Sequence, residues 1–221
     1  MPRLLDLFCG RWGWSRAFAA RGWECVGVDL VDPPNVPTGC QFERQNVILL
    51  TARWIKDRDF DFIVASSPCE QFSVHGLKHF HKNPPYPELG IALFNHTRSL
   101  CEAVDLPYVM ENVRAAQQFV GSANHHCGPF YLWGNAVPPL LHRGISKGTK
   151  FGRPRAERRF IDPSYKTGAG SQARKDYTAQ LATIPPELAN CVADYAERLL
   201  ELRRESSSAV LAQSIQIHQS P

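Results

Sequence analysis

The strongest constraint on the fold is a unit that recurs along the chain: a short apolar run, a polar or glycine-bearing turn, then a stretch with helical spacing. Residues 4–8 read as a buried strand that runs into a glycine-containing turn, and residues 15–21 follow as a helix with Ser15 as its candidate cap. Residues 24–28 form a second strand ending at Asp29, and FDFIVA (60–65) is another apolar run that ends in a loop. Residues 88–104 have helical spacing, and PYVM (107–110) is again strand-like, with Glu111 immediately past its end. Strands that alternate with helices imply a largely parallel sheet. Ligands of such sheets bind beyond the carboxyl ends of the strands. Asp29, the 66–73 loop and Glu111 all fall at such ends, so three polar signals from distant positions are expected to converge on one crevice.

A chain of 221 residues is long enough for one α/β domain and too short for two generous ones. The expected division is a cofactor-binding and catalytic core over 1–113, substrate-binding loops and a basic segment over 114–178, a packing helix over 179–204 and a disordered tail over 205–221. The loop assignment covers HHCGPF and LWGNAVPPLL; the helix follows from Leu188, Val192, Tyr195, Leu199 and Leu202 after Pro185 and Pro186; the tail follows from its Ser and Gln content. No apolar run approaches the roughly 20 residues that span a bilayer, and the amino terminus lacks signal-peptide architecture. A cytoplasmic protein with no membrane association is expected, and no protein partner is implied. The seven cysteines are widely spaced without a C-x-x-C pair, which predicts reduced thiols.

Charge is unevenly placed. Residues 147–175 hold nine basic side chains, among them Arg155, Arg158 and Arg159, against Glu157 and Asp162; the segment carries +7 and the remainder −3. Such a basic, glycine-containing stretch fits a phosphate-binding surface, although taken alone it fits a solvated surface equally well.

Three motifs carry chemistry. In LDLFCGRWGWSRAF the glycines after a strand let a cofactor approach the backbone, and Asp29 about 20 residues on suits ribose hydroxyls; ordinary turn glycines fit the same pattern. SSPCEQFSVHG sets Cys69 in a Pro-containing loop directly after a strand. A thiolate there is nucleophilic, and the flanking Ser67, Pro68 and Ser73 argue against the buried inert cysteine that is the common alternative. In YVMENVRA, Glu111 stands where an apolar strand meets polar residues, suited to protonating a ring nitrogen or, equally, to capping a helix or pairing with Arg114. His75, His79, His81, His125 and His126 with Cys127 fit no zinc-ligand spacing, so no metal is expected.

Taken together, DLFCG-x-x-G-x-S (6–15), PC-x-x-FS (68–73) and ENV (111–113) resemble the cytosine-C5 DNA methyltransferase family, in the family's order and approximate spacing. PRAERRF (154–160) and IPPELANCVADYAERL (184–199) are similar to its later motifs. GNAVPP (134–139) also looks like part of the last motif but stands too early in the chain. The resemblance implies a Rossmann-like S-adenosylmethionine-dependent α/β fold with a mostly parallel sheet and a reduced or absent target-recognition domain. It also implies a cytosine-C5 methyltransferase acting on DNA in a bacterial or phage-infected cell. Phe8, Cys9, Gly10, Arg11, Trp12, Gly13, Ser15, Asp29, Asn46 and Pro68 are then expected around S-adenosyl-L-methionine. Cys69 is expected to attack cytosine C6, Glu111 to bond or protonate N3, and Arg159 to contact the base carbonyl. Ser67, Phe72, Ser73, Asn112, Arg155 and Arg158 are expected on the substrate side.

The chain departs from the family pattern at Trp12, where the family has glycine, at Glu70, where it has Gln, at Asn46, where Asp is usual, and in PRAERR itself. An indole beside Arg11 suggests a narrowed pocket or a carboxylated cofactor derivative. An RNA cytosine methyltransferase and a catalytically silent nucleic-acid-binding relative are the competing readings.

Overall fold

The computed structural model describes residues 1–72, 87–139 and 182–218. Its strands are β1 (Arg3–Leu7), β2 (Glu24–Asp29), β3 (Cys40–Arg44), β4 (Phe62–Ser66), β5 (Tyr108–Val113), β6 (His125–Cys127) and β7 (Phe130–Trp133). Its helices are α1 (Ser15–Ala19), α2 (Ala52–Lys56), α3 (Pro87–Val104), α4 (Gln117–Val120) and α5 (Pro186–His218). Among the described residues the strands form one seven-stranded sheet in the order β3-β2-β1-β4-β5-β7-β6. The first five are mutually parallel and the β6–β7 hairpin joins antiparallel, so the sheet is α/β and mostly parallel as expected.

Strand alternation builds two cores. Leu5 and Leu7 of β1 point to one face, with Ile55 of α2 and Phe94, Leu100 and Cys101 of α3. Leu4 points to the other, with Trp14, Phe18 and the fully buried Leu188, Ala189, Val192, Ala193 and Ala196 of α5. Helices therefore cover both faces, which is why the central strands read as near-continuous apolar runs. Helix α5 packs on α1. Arg21 clamps the pair: Nε and Nη2 donate to Asp194 Oδ1 at 3.1 and 2.5 Å, and Nη1 donates to Asn190 Oδ1 at 2.6 Å.

The structure differs from the sequence expectation in four places. Ser15 does not cap α1; Trp14 occupies the cap position without a side-chain bond, and the Ser15 hydroxyl is used elsewhere. Glu111 lies within β5 rather than beyond it, because the antiparallel partner β7 extends the pairing to Val113. HHC and FYLW are not loops: they pair across the two-residue turn Gly128–Pro129, in which Gly128 has φ 56°. The stretch 205–218 is not a disordered tail but continues α5; Ser206 and Ser208 donate to the carbonyls of Leu202 and Arg204, so those serines stay inside the helix.

Candidate functional site

Strand β1 is followed in sequence by β2 on one side and adjoins β4 on the other, so the chain reverses direction across the sheet between β1 and β4. A crevice opens at such a switch point beyond the carboxyl ends of the strands. The loop after β1 and the loop after β4 flank it, and Trp14 Nε1 ties them by donating to Ser66 Oγ at 2.9 Å.

The loop after β1 is tightly coiled. Phe8 (φ 63°), Gly10 (φ 47°) and Trp12 (φ 64°) all adopt left-handed backbone, and the amides of Phe8 and Cys9 donate to the Val28 carbonyl at 2.8 and 3.2 Å. Gly10 N–H donates to Asp29 Oδ2 at 3.0 Å, and Leu30 N–H to its Oδ1 at 2.7 Å. Asp29 thus shapes the loop as well as standing at the end of β2. Gly13 has no space for a side chain, since a Cβ there would lie 2.9 Å from the Ile184 amide nitrogen.

Beneath the loop lies a feature the motif alone does not convey. Trp12 is fully buried, edge-on to Phe42 at 6.5 Å, and its ring covers Gly27 of β2 so closely that a Cβ on Gly27 would meet it at 2.3 Å. The bulk that replaces the family glycine is therefore taken up by a glycine on the neighbouring strand. Asp6, the register partner of Gly27, is also buried. Its Oδ2 accepts the Ser15 hydroxyl at 2.6 Å, whereas Asp6 Oδ1 and Trp12 Nε1 have no hydrogen-bond partner among the described residues. Burial raises the Asp6 carboxyl from 3.8 to about 7, against the lowering effect of Ser15. Cys9, 4 % exposed, has its thiol pushed up by burial and then by the charges of Asp6 and Asp29. A nucleophilic thiol is not what that environment produces.

The loop after β4 is held to β5. Ser66 is the register partner of Glu111, and the fully buried Asn112 donates through Nδ2 to both Ser67 O and Ser67 Oγ at 3.0 Å. Pro68 is exposed and Cys69 is half-buried, with a turn closed by Phe72 N–H donating to Cys69 O at 3.0 Å. Phe72, expected on the substrate side, is instead fully buried, stacked on Phe119 at 5.7 Å and pressed against Gly90; it anchors the turn from within the core. Glu111 is 8 % exposed. Asn46, just beyond the carboxyl end of β3, accepts Ile48 N–H at 3.2 Å and caps a 3-10 turn.

The sheet thus gathers the 8–15 loop, Asp29, Asn46, Ser67 to Cys69 and Glu111 with Asn112 at or near one edge. Ser15, Trp12, Phe72 and Asn112 serve that edge from inside. Ser73, Arg155, Arg158 and Arg159 lie outside the described residues, as do His75, His79 and His81. No cluster of three metal-ligating side chains occurs among the described residues. Asp6, Gly27 and Ser66 were not singled out from sequence. A charge inside LLDLF and a lone glycine inside ECVGVD are the signals that mark the first two, the glycine as a close approach.

The sequence profile of C-5 cytosine-specific DNA methylases matches residues 2–125, more than half of the chain. A protein of Frog virus 3 (isolate Goorha), described as a probable DNA (cytosine-5)-methyltransferase, is 41% identical over 75 residues, which are 32% of this chain and 30% of the viral one. Among solved structures, the S. pombe Dnmt2 methyltransferase is 18% identical with a TM-score of 0.40, covering 54% of this chain and 37% of that one. A mutant of Spodoptera frugiperda DNMT2 is 19% identical with a TM-score of 0.36, covering 53% and 37%. The chain therefore spans about a third of the length of the relatives it matches.

Proposed function

The chain belongs to the C-5 cytosine-specific DNA methylase family, and on that premise we propose that it transfers a methyl group from S-adenosyl-L-methionine to C5 of a cytosine in DNA, with Cys69 as nucleophile and Glu111 as acid. The observation that carries the reading is the pairing of Ser66 with Glu111 and the Ser67–Asn112 brace, by which adjacent strands fix the cysteine loop beside the acid.

The residues present suit the cofactor. A ribose diol with a nearby cationic sulfonium and ammonium matches a loop that closes against the Asp29 carboxylate at the end of β2. Phe8, Gly10, Arg11, Gly13, Asp29, Asn46 and Pro68 are the candidate contacts. Bound there, the cofactor supplies an electrophilic methyl group. Because Gly27 accommodates Trp12, the departure at that position calls for no altered donor, and unmodified S-adenosylmethionine is preferred over a carboxylated derivative.

The chemistry of the chain's own groups follows. Cys69 Sγ attacks C6 of the cytosine while Glu111 bonds or protonates N3, so negative charge does not accumulate in the ring and C5 becomes nucleophilic. After C5 is methylated, loss of its proton to a solvent base lets the C5–C6 double bond reform and expels Cys69. In duplex DNA the base must leave the stack, at a cost of a few kcal/mol that the basic 147–175 segment helps to offset.

The test is incubation with labelled S-adenosylmethionine and DNA containing 5-fluorocytosine, which cannot lose a C5 proton. A labelled covalent adduct that is absent in Cys69→Ser is expected. An adduct only with fluorocytosine RNA would move the substrate to RNA, and no adduct with either would make the chain a silent relative.

A further inference from the structure

Away from the carboxyl ends of the strands, on the face covered by α1 and α5, two thiols stand side by side. Cys25 and Cys40 are register partners on the parallel strands β2 and β3, and both pack in the same apolar cluster. Neighbouring strands lie about 4.8 Å apart, inside the roughly 4.4–6.8 Å separation over which a disulfide closes. Both side chains project to the same face of the sheet from directly opposed positions.

We propose that Cys25 and Cys40 are a modification site, a dithiol that a hydroperoxide converts into a disulfide bridging β2 and β3. The two thiols differ in the way such a reaction needs. Cys25 is 1 % exposed, and its Sγ lies within reach of the carbonyls of Ser15 (3.6 Å) and Trp23 (3.8 Å). Cys40 is half-buried, so an oxidant reaches it first. The neighbouring Cys25 thiol, and then the charge of Arg16, lower the Cys40 thiol against the opposing effects of burial and Asp6.

In the first step the Cys40 thiolate attacks a peroxide oxygen; an S–O bond forms, the O–O bond breaks and the leaving hydroxide takes a proton to become water. Cys40 is then a sulfenic acid. In the second step the Cys25 sulfur attacks Cys40 Sγ; the S–S bond forms, the S–O bond breaks, and the second hydroxide leaves as water with the Cys25 proton. Two thiols lose two electrons and one peroxide is reduced to two waters. A bridge between directly opposed strand residues sits at the short end of the permitted range, so mild thiol reductants are expected to reopen it.

Sequence makes the test clean. No Lys or Arg lies between Arg21 and Arg44, so trypsin releases both cysteines on the peptide 22–44 and leaves the other five elsewhere. The folded, reduced full chain is exposed to dilute hydrogen peroxide, alkylated in denaturant and digested. The expected product is a 22–44 peptide lighter by two hydrogens and closed to alkylation. Cleavage before Asp29 and Asp32 should leave its halves joined, and dithiothreitol should restore two alkylation sites. Cys25→Ser and Cys40→Ser should each reduce the bridged species to background. A peptide that takes two alkyl groups after peroxide treatment, or one in which Cys40 advances to sulfinic acid while Cys25 stays alkylatable, overturns the proposal. Because the readout is a bond within one peptide, it is independent of methyl transfer.

Discussion

At the residue scale, Asp6 is the side chain whose ionisation and environment conflict most. It is 1 % exposed, one of its oxygens has no partner among the described residues, and its carboxyl is raised to about 7. Between about pH 4 and about pH 7 the folded chain keeps a proton that the unfolded chain has released. Stability therefore falls as pH rises through that window and levels off above it, by on the order of 4 kcal/mol if the whole shift is expressed. Asp6→Asn should keep the Ser15 bond and flatten the dependence of Tm on pH; an unchanged slope would place the titration in another group. The Trp12–Gly27 contact is just as local. Gly27→Ala drives a Cβ into the indole and should destabilise by about 1–3 kcal/mol, read as a lower urea midpoint with an unchanged m-value. Trp12→Phe in the same chain should recover part of that loss by yielding space at the ring edge. Absence of any recovery would show that the alanine strains something other than the indole.

At the scale of elements, the feature that matters is the β4–β5 pair. Asn112 spends both of its amide functions there, Nδ2 on Ser67 and Oδ1 on the Val113 amide. Asn112→Ala leaves buried Ser67 groups unpaired, at a cost of about 1–3 kcal/mol. It also frees the turn that carries Cys69. If the brace positions the nucleophile, kcat should fall by on the order of tenfold or more while KM for the cofactor stays near its original value; equal changes in both would assign the brace to general stability. That brace was only half legible in the sequence. SSPC and ENV marked the strand ends at which the proposed chemistry is set, because strand ends in a parallel sheet are where polar residues interrupt apolar runs. The bond between them joins residues 45 apart in sequence, and no local spacing encodes such a partner. β3 escaped for a different reason: CQFER is short and only half-buried, so it presents no apolar run to read. The β6–β7 hairpin escaped because HHC carries no strand signature, and its pairing with β5 is set by tertiary contact.

At the scale of the whole molecule, α5 is both the last described element and half of the core on its face. Five of its side chains between Leu188 and Ala196 are fully buried against α1 and the sheet, whereas residues 201–206 are exposed. Leu188 and Val192 each contribute about 1.5–3 kcal/mol relative to exposure, and with the alanines and the partly buried Tyr195 and Leu199 their sum approaches the low end of the 5–15 kcal/mol that typically separates folded from unfolded chains. Ending the chain before Pro186 should therefore abolish cooperative unfolding. It should also loosen the 8–15 loop, because Ile184, which packs against Gly13 where the cofactor is expected, loses the helix that follows it and holds it in place. Ending it after Ser206 removes no described buried side chain and should leave Tm nearly unchanged. Thermal melts of the two truncations, followed by near-ultraviolet dichroism of the buried tryptophans, separate these outcomes. If the shorter chain kept a cooperative melt, the apolar stripe of α5 would be a cover rather than a structural half of the domain, and the cofactor loop would have to be held by β1, β2 and the Trp14–Ser66 bond to β4.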